Sequence, residues 1–423
     1  MRPTVALRLT GRWALAIVVA ALLLAACGDD DSEPTAPGAT ATPEATATPE
    51  PTATPEATAT PEPTATPEAT AELALNHIQV LGSHNSYHLR PEDALFDALV
   101  GVSAPLAESI DYSHRPLTEQ LDTYGIRQFE IDIYADPDGG LYANPAANPL
   151  VGLEPLSDPA FAEPGFKVLH TQDFDYGTTC VTLVVCLEEI DAWSLAHPNH
   201  LPLMIMLEFK SESVPEAAAD EGIELTVQLP WTTPLDPTAE LLDALDAEIR
   251  SVFDNDRLIL PDDVRAGAPT LEAAVLDNGW PSLDESRGKL LFTMTDGGTI
   301  RDLYVAGAPN LEGRPIFTNG TPGRPDAAFL RIDDPTDPSL AAAIEAGYLV
   351  RTRTDVPTAD ARTNNTSRRD AALESGAHFL STDYYTVSEF FDSAYEVALP
   401  GDVVARCNPV NAPATCTDDM LAE

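Results

Sequence analysis

The chain has 423 residues, and its 23 lysines and arginines face 68 aspartates and glutamates, for a formal net charge of −45. A surface this acidic repels nucleic acid and anionic lipid alike, so neither is expected to be held by a polybasic patch. An anionic substrate would need a local cation to overcome the repulsion, and a bound divalent ion is the obvious candidate.

Residues 1–26 contain Arg2, Arg8 and Arg12, no acid, and the apolar run ALAIVVAALLLAA, the layout of a secretory signal. The closing Leu24-Ala25-Ala26-Cys27 resembles a bacterial lipobox, which makes Cys27 the expected lipid-carrying N-terminus of an exported protein on the outer face of a bacterial membrane. A plain membrane anchor or an ordinary cleaved signal is the alternative. Residues 27–72 are dominated by TPEATA and TPEPTA repeats that have almost nothing to bury. They read as a stalk, and at roughly 3 Å per residue a Pro-rich segment of this length spans on the order of 100 Å.

From residue 73 no second Pro-rich break or repeat appears, so one large domain is expected over 73–395, followed by a tail over 396–423. Besides Cys27 there are four cysteines, and their spacing favours the local disulfides Cys180–Cys186 and Cys407–Cys416 over the two other connectivities. Short apolar runs bounded by Gly, Pro, Asp or Asn recur at 77–82, 126–134, 166–170, 201–209, 288–294, 328–332, 348–354 and 378–384. Helical patterns occupy 187–198, 239–253, 339–347 and 367–376. Strands alternating with helices predict a TIM-type (β/α)8 barrel with functional groups at the C-terminal strand ends, and an open doubly wound sheet is the competing architecture.

Four of the first runs end in groups that chemistry uses: His84-Asn85, the Glu130/Asp132 pair, His170, and Glu208. Glu130 and Asp132 are two apart, so a strand points both to one face inside an otherwise apolar segment. Buried carboxylates repel unless a cation or a proton sits between them. Lys210 shares the face of Glu208, and a salt bridge between the two is the purely structural explanation. Three carboxylates at successive strand ends, together with the amide oxygen of Asn85, point instead to an all-oxygen site suited to Ca2+, with Mg2+ second. His84 and His170 then remain free for proton transfer. His77, His88, His114, His197, His200 and His378 are read as structural.

Ser83-His84-Asn85-Ser86-Tyr87, Glu130-x-Asp132, Leu169-His170 and Leu207-Glu208 together resemble the catalytic half of calcium-dependent phosphatidylinositol-specific phospholipase C, most of all its secreted bacterial group. The similarity runs over about residues 76–390. The resemblance implies a phosphodiester hydrolase that releases diacylglycerol and a cyclic, then open, inositol phosphate from a phospholipid at a membrane surface. It implies Asn85, Glu130, Asp132 and Glu208 as calcium ligands, with one of the carboxylates also helping to take the proton from the inositol 2-hydroxyl, His84 as the residue stabilising the phosphorane, and His170 as the donor of the leaving-group proton. By looser matches it implies Lys210, Lys289, Arg351 and Tyr384 as phosphate or inositol contacts. The insertion over 135–165 departs from the eukaryotic pattern, and so does the absence of their accessory segments. A glycerophosphodiesterase or a sphingomyelinase D-like lipase on the same barrel is the rival enzyme, and a calcium-binding surface lipoprotein without activity is the rival outside catalysis.

Overall fold

Residues 72–102, 104–220, 228–356 and 358–423 are described by a computed structural model. The expected signal segment, Cys27 and most of the stalk lie outside the described residues. Eight parallel strands form the path of one sheet: Ile78–Ser83 (β1), Gln128–Tyr134 (β2), Leu203–Phe209 (β4), Leu290–Met294 (β5), Ile316–Phe317 (β6), Phe329–Arg331 (β7), Leu349–Arg353 (β8) and Phe379–Thr382 (β9). They run in the order β6-β5-β4-β2-β1-β9-β8-β7, and a parallel bridge between Asn319 and Phe329 joins the two ends, so the sheet closes into the expected barrel. Closure explains the composition of the strands. Walled by helices outside and filled by side chains inside, β1, β2 and β5 are buried at every position; β5 (LLFTM) and β4 (LMIMLEF) are nearly continuous apolar runs, and the polar residues of β1 and β2 are buried with the rest.

Two strands lie off this path. The run at 166–170 is not a barrel strand: its core, Lys167–Val168 (β3), pairs antiparallel with Tyr134 and Ile133 at the top of β2. The place in the barrel goes to β6, which is only two residues long and too short to show a period. Ala405–Cys407 (β10), in the tail, pairs antiparallel with the first half of β1, while β2 joins β1 at a single register position, Gly82 with Gln128. The tail therefore fills the gap where β1 and β2 diverge.

The helices follow the predicted segments closely. Pro338–Ala346 and Ser367–Ser375 end at Gly347 and Gly376, both in the left-handed conformation. Ala239–Val252 starts where Thr238 accepts a hydrogen bond from the Leu241 amide. Leu183–Ala196 begins four residues earlier than the pattern suggests, because Thr182 caps it and LVVC lies within its first turn. Disulfides join Cys180 to Cys186 and Cys407 to Cys416. Among the described residues no helix is long and apolar enough to cross a membrane.

Candidate active site

Parallel register brings the sequence-predicted residues together at the C-terminal mouth of the barrel. Asp132 and Glu208 are direct partners across β2 and β4, with Glu130 one pleat below on the same face. Ser83 and Thr382 are partners across β1 and β9, so the next residues, His84 and Asp383, leave the barrel side by side. Asn85 turns the chain at φ 45°, a left-handed conformation that asparagine tolerates. Its Nδ2 donates to the Tyr112 hydroxyl at 3.1 Å. That leaves its amide oxygen free of this bond.

His84 is 9% exposed, with Nδ1 2.8 Å from Asp383 Oδ1 and Nε2 3.9 Å from Glu130 Oε1. Burial, reinforced by the charges of Arg353 and Arg351, holds its pKa well below the ordinary histidine value, so the ring is neutral. Asp383 Oδ2 also accepts from Arg353 at 3.0 Å, which places a guanidinium on the far side of the carboxylate from the ring. A neutral ring that gives its Nδ1 proton to Asp383 presents a lone pair at Nε2. This geometry suits a proton acceptor, whereas the expected stabilising role needs an N–H at Nε2.

The carboxylates are paired unevenly. Glu130 bonds Arg351 at 2.5 Å, and burial nevertheless raises its pKa. Lys210 pairs with Glu208 and lies 3.3 Å from Asp132 Oδ2. Burial would raise Glu208, but Lys210 overcomes it and holds the group down. Asp132 is fully buried, and neither of its oxygens has a hydrogen-bond partner among the described residues. Burial lifts its carboxyl to about 8; Lys210 opposes the shift, and Glu208 and Glu130 add to it. Lys210 thus makes the salt bridge foreseen from its spacing and also pairs with Asp132 Oδ2 at 3.3 Å, and neither Asp132 oxygen has a hydrogen bond among the described residues. Asn85, Glu130, Asp132 and Glu208 offer only oxygen donors, the chemistry that suits a hard divalent cation, although among the described residues their carboxylates do not form a group with ligand atoms within 4.8 Å of one another.

His170 emerges from the loop after β3. Its Nδ1 is 2.6 Å from Asp175 Oδ2, and the same carboxylate lies 3.0 Å from His88 Nε2. Burial would raise Asp175, but its contacts with His88 and His170 hold it at about 2. Among the described residues, His88, His170 and Asp175 form the one group whose potential metal-binding atoms lie within 4.8 Å of one another. Here those atoms are hydrogen-bonded to each other.

Two adjoining cavities share Glu208. One, of about 170 Å³, is lined by His84, Glu130, Arg331, Arg351, Arg353 and Arg368 among others. The other, of about 240 Å³, is lined by His170, Lys210, Tyr134, Gln172 and Asp296 among others. Of the expected substrate contacts, Lys210 and Arg351 line these cavities. Lys289 does not: it enters β5 at the N-terminal end, where its carbonyl accepts from Leu203, so it lies at the opposite end of the barrel. Tyr384 lines neither cavity; at 2% exposure it packs against Phe391, Tyr395 and Tyr112 behind Asp383.

The reading of the sequence passed over Asp383, Asp175, Arg331, Arg353 and Asp296. Arg353 had a signal, since it is two residues from Arg351 and shares its face. Asp296 had one too, at the C-terminal end of the run over 288–294. Burial, with Glu208 adding to it, raises Asp296 to about 7.

Paired histidines backed by acids, flanking a carboxylate cluster at the mouth of a parallel barrel, define a hydrolase built for a charged ester. Residues 73–409 match the family described as phosphoinositide phospholipase C, Ca2+-dependent, and the chain belongs to that family, whose members are phosphodiesterases. No curated protein matches the chain. A calcium-dependent phosphoinositol-specific phospholipase C from a Pseudomonas species is similar at 15% identity and TM-score 0.47, covering 80% of this chain and 96% of its own. A calcium-dependent phosphatidylinositol-specific phospholipase C from Streptomyces antibioticus is similar at 20% identity and TM-score 0.45, covering 74% of this chain and 95% of its own.

Proposed function

We propose that the protein cleaves phosphatidylinositol-type lipids by attack of the inositol 2-hydroxyl on phosphorus, releasing diacylglycerol and a cyclic inositol phosphate. The observation that supports this reading is the division of the mouth at Glu208, with His84 in one cavity and His170 in the other. A phosphodiester laid across Glu208 has its inositol half beside His84 and the arginines, and its leaving group beside His170. As the new phosphorus–oxygen bond forms and the bond to glycerol breaks, His84 Nε2 takes the hydroxyl proton and His170 gives one to the departing alkoxide. Each imidazole is held by its acid, Asp383 or Asp175, which stabilises the charged ring as the proton moves. Arg351 and Arg353 line the inositol side and add positive charge near the phosphoryl oxygens.

Asn85, Glu130, Asp132 and Glu208 are the residues that would hold calcium. Bound there, the ion supplies Lewis acidity that lowers the 2-hydroxyl pKa and offsets negative charge developing at phosphorus. Lys210 and Arg351 neutralise the same carboxylates in the ion-free protein.

The test is the soluble domain, residues 72–423, on phosphatidylinositol vesicles, with released inositol phosphates followed in calcium and in chelator. Calcium-dependent release is expected, and release that chelator leaves unchanged would overturn the metal reading. We also propose that Cys27 is acylated and that the Thr/Pro/Glu/Ala stalk holds the domain away from the cell's own membrane. Cys27→Ala is expected to move the protein from the membrane fraction to the soluble fraction.

A further inference from the structure

The SHNSYH turn supplies more than its first histidine. His88, four residues after His84, is fully buried, and its Nε2 lies 3.0 and 3.2 Å from the two oxygens of Asp175. Asp175 is also fully buried and reaches His170 Nδ1 at 2.6 Å, so the three side chains form an unbroken His–Asp–His chain. The other ring nitrogen of His88, Nδ1, is buried without a hydrogen-bond partner among the described residues. An orphaned nitrogen is least costly unprotonated, which puts the ring proton on Nε2, where Asp175 accepts it. The backbone fixes this arrangement from both sides. Thr171 and Asp175 exchange reciprocal N–H to carbonyl bonds of 2.9 and 3.0 Å, and His88 bridges antiparallel to Thr178. The His88 ring is clamped between Tyr112, 4.4 Å away, and the edge of His170, 5.5 Å away.

We propose that His88 is a positioning residue for proton donation by His170: by donating to Asp175 it fixes the carboxylate that orients the His170 ring, so that Nε2 faces the leaving group. The inference rests on the reading of His170 as the general acid. It also means that one six-residue turn sets both sides of the reaction, His84 at its start and the support of His170 at its end. A carboxylate held by two donors cannot rotate away from His170. With one donor it can, and the acid then loses its orientation while the rest of the site stays intact.

The experiment compares two substrates that share the inositol phosphate but differ in leaving group. Phosphatidylinositol in detergent micelles expels an alkoxide that needs a proton, whereas 4-nitrophenyl inositol phosphate expels a phenolate that does not. His170→Ala is the reference, expected to lose about 10²- to 10⁴-fold in kcat on the lipid and far less on the nitrophenyl ester. His88→Leu is expected to lose about tenfold in kcat on the lipid, the worth of one hydrogen bond, with KM unchanged and little loss on the nitrophenyl ester. His88→Gln keeps an N–H for Asp175 and is expected to recover most of the lipid activity. Equal losses of His88→Leu on both substrates, or no loss on either, would overturn the role of His88 while the His170 result stands. Equal losses of His170→Ala on both would overturn the acid assignment and the His88 inference with it.

Discussion

The assignment of His84 as the proton acceptor can be tested by one atom. Asp383 presents Oδ1 to His84 Nδ1 at 2.8 Å and Oδ2 to the Arg353 guanidinium at 3.0 Å. Arginine only donates, so in Asp383→Asn the amide oxygen must face Arg353 and the amide N–H₂ must face His84. His84 then accepts at Nδ1 and carries its proton on Nε2, the reverse of the tautomer the carboxylate imposes. A base needs a lone pair at Nε2, and reversing the tautomer in a comparable imidazole–carboxylate pair lowers turnover by about 10⁴, or roughly 5 kcal/mol of barrier at 1.36 kcal/mol per tenfold. The fold should tolerate the change, because both hydrogen bonds persist and Arg353 keeps a second carboxylate, Asp355, at 3.7 Å. The assay is kcat on phosphatidylinositol micelles at saturating calcium, with calcium affinity measured calorimetrically as the control. If Asp383→Asn keeps activity within tenfold of the parent, Nε2 works as an N–H donor, and the phosphorane-stabilising role inferred from the family resemblance is the right one.

Asp132→Asn should uncouple stability from calcium. The pKa of Asp132 is raised by burial to about 8, so its ionisation disfavours the folded, metal-free state progressively above the ordinary carboxylate pKa. At pH 7 the amide should stabilise the chelator-treated protein by up to about 4 kcal/mol and abolish the rise in Tm on adding calcium; a calcium-dependent Tm in the variant would contradict Asp132 as a ligand. His378 lies far from the site, accepting from the Val350 amide and bonding the Asn76 carbonyl, and burial lowers its pKa to about 4. Unfolding raises its affinity for protons, so stability is expected to fall between pH 6.5 and 4, by about 2.5 kcal/mol at pH 4.5, and His378→Gln should flatten that part of a denaturant midpoint profile. Lys210→Met should leave Asp132 and Glu208 without their cation and cost about 3–5 kcal/mol in chelator, much of it recovered on adding calcium; equal destabilisation with and without the ion would show that Lys210 acts only as a structural partner.

The groups legible in the sequence are those that break a pattern. Glu130, Asp132 and Glu208 stand out because a carboxylate inside an apolar run costs free energy that something must offset, and His84 stands out because it ends such a run. The strand count was legible for the same reason, although the run at 166–170 and the two-residue β6 exchange places: a buried antiparallel flap is as apolar as a barrel strand, and two residues carry no period. Asp175 was hidden because it sits in a loop, where acids are ordinary and nothing local marks it, whereas Asp383 closes the run over 378–384 and carried the same strand-end signal as Glu208. Their meaning comes from closure. Once the barrel closes, β9 lies against β1, and the residue after Thr382 must stand beside the residue after Ser83.

Closure also explains why an acidic chain can handle an anionic ester. Arg331 and Arg351–Arg353 sit on β7 and β8, more than a hundred residues from Glu130 and Asp132, yet Arg351 meets Glu130 across the barrel mouth at 2.5 Å. In the ion-free protein Arg351 pairs with Glu130, and Lys210 with Asp132 and Glu208, while Arg331 and Arg353 are held by Asp333 and Asp383. Were calcium to take these carboxylates, Arg351 and Lys210 would be released toward the cavities they line, where they could meet phosphoryl oxygens. Calcium entry and substrate binding should therefore be positively coupled, each tightening the other by the same factor. Calcium titrations with and without a saturating inositol phosphate measure that factor directly, and a calcium Kd unchanged by the ligand would mean that Arg351 and Lys210 stay bound to the acids throughout.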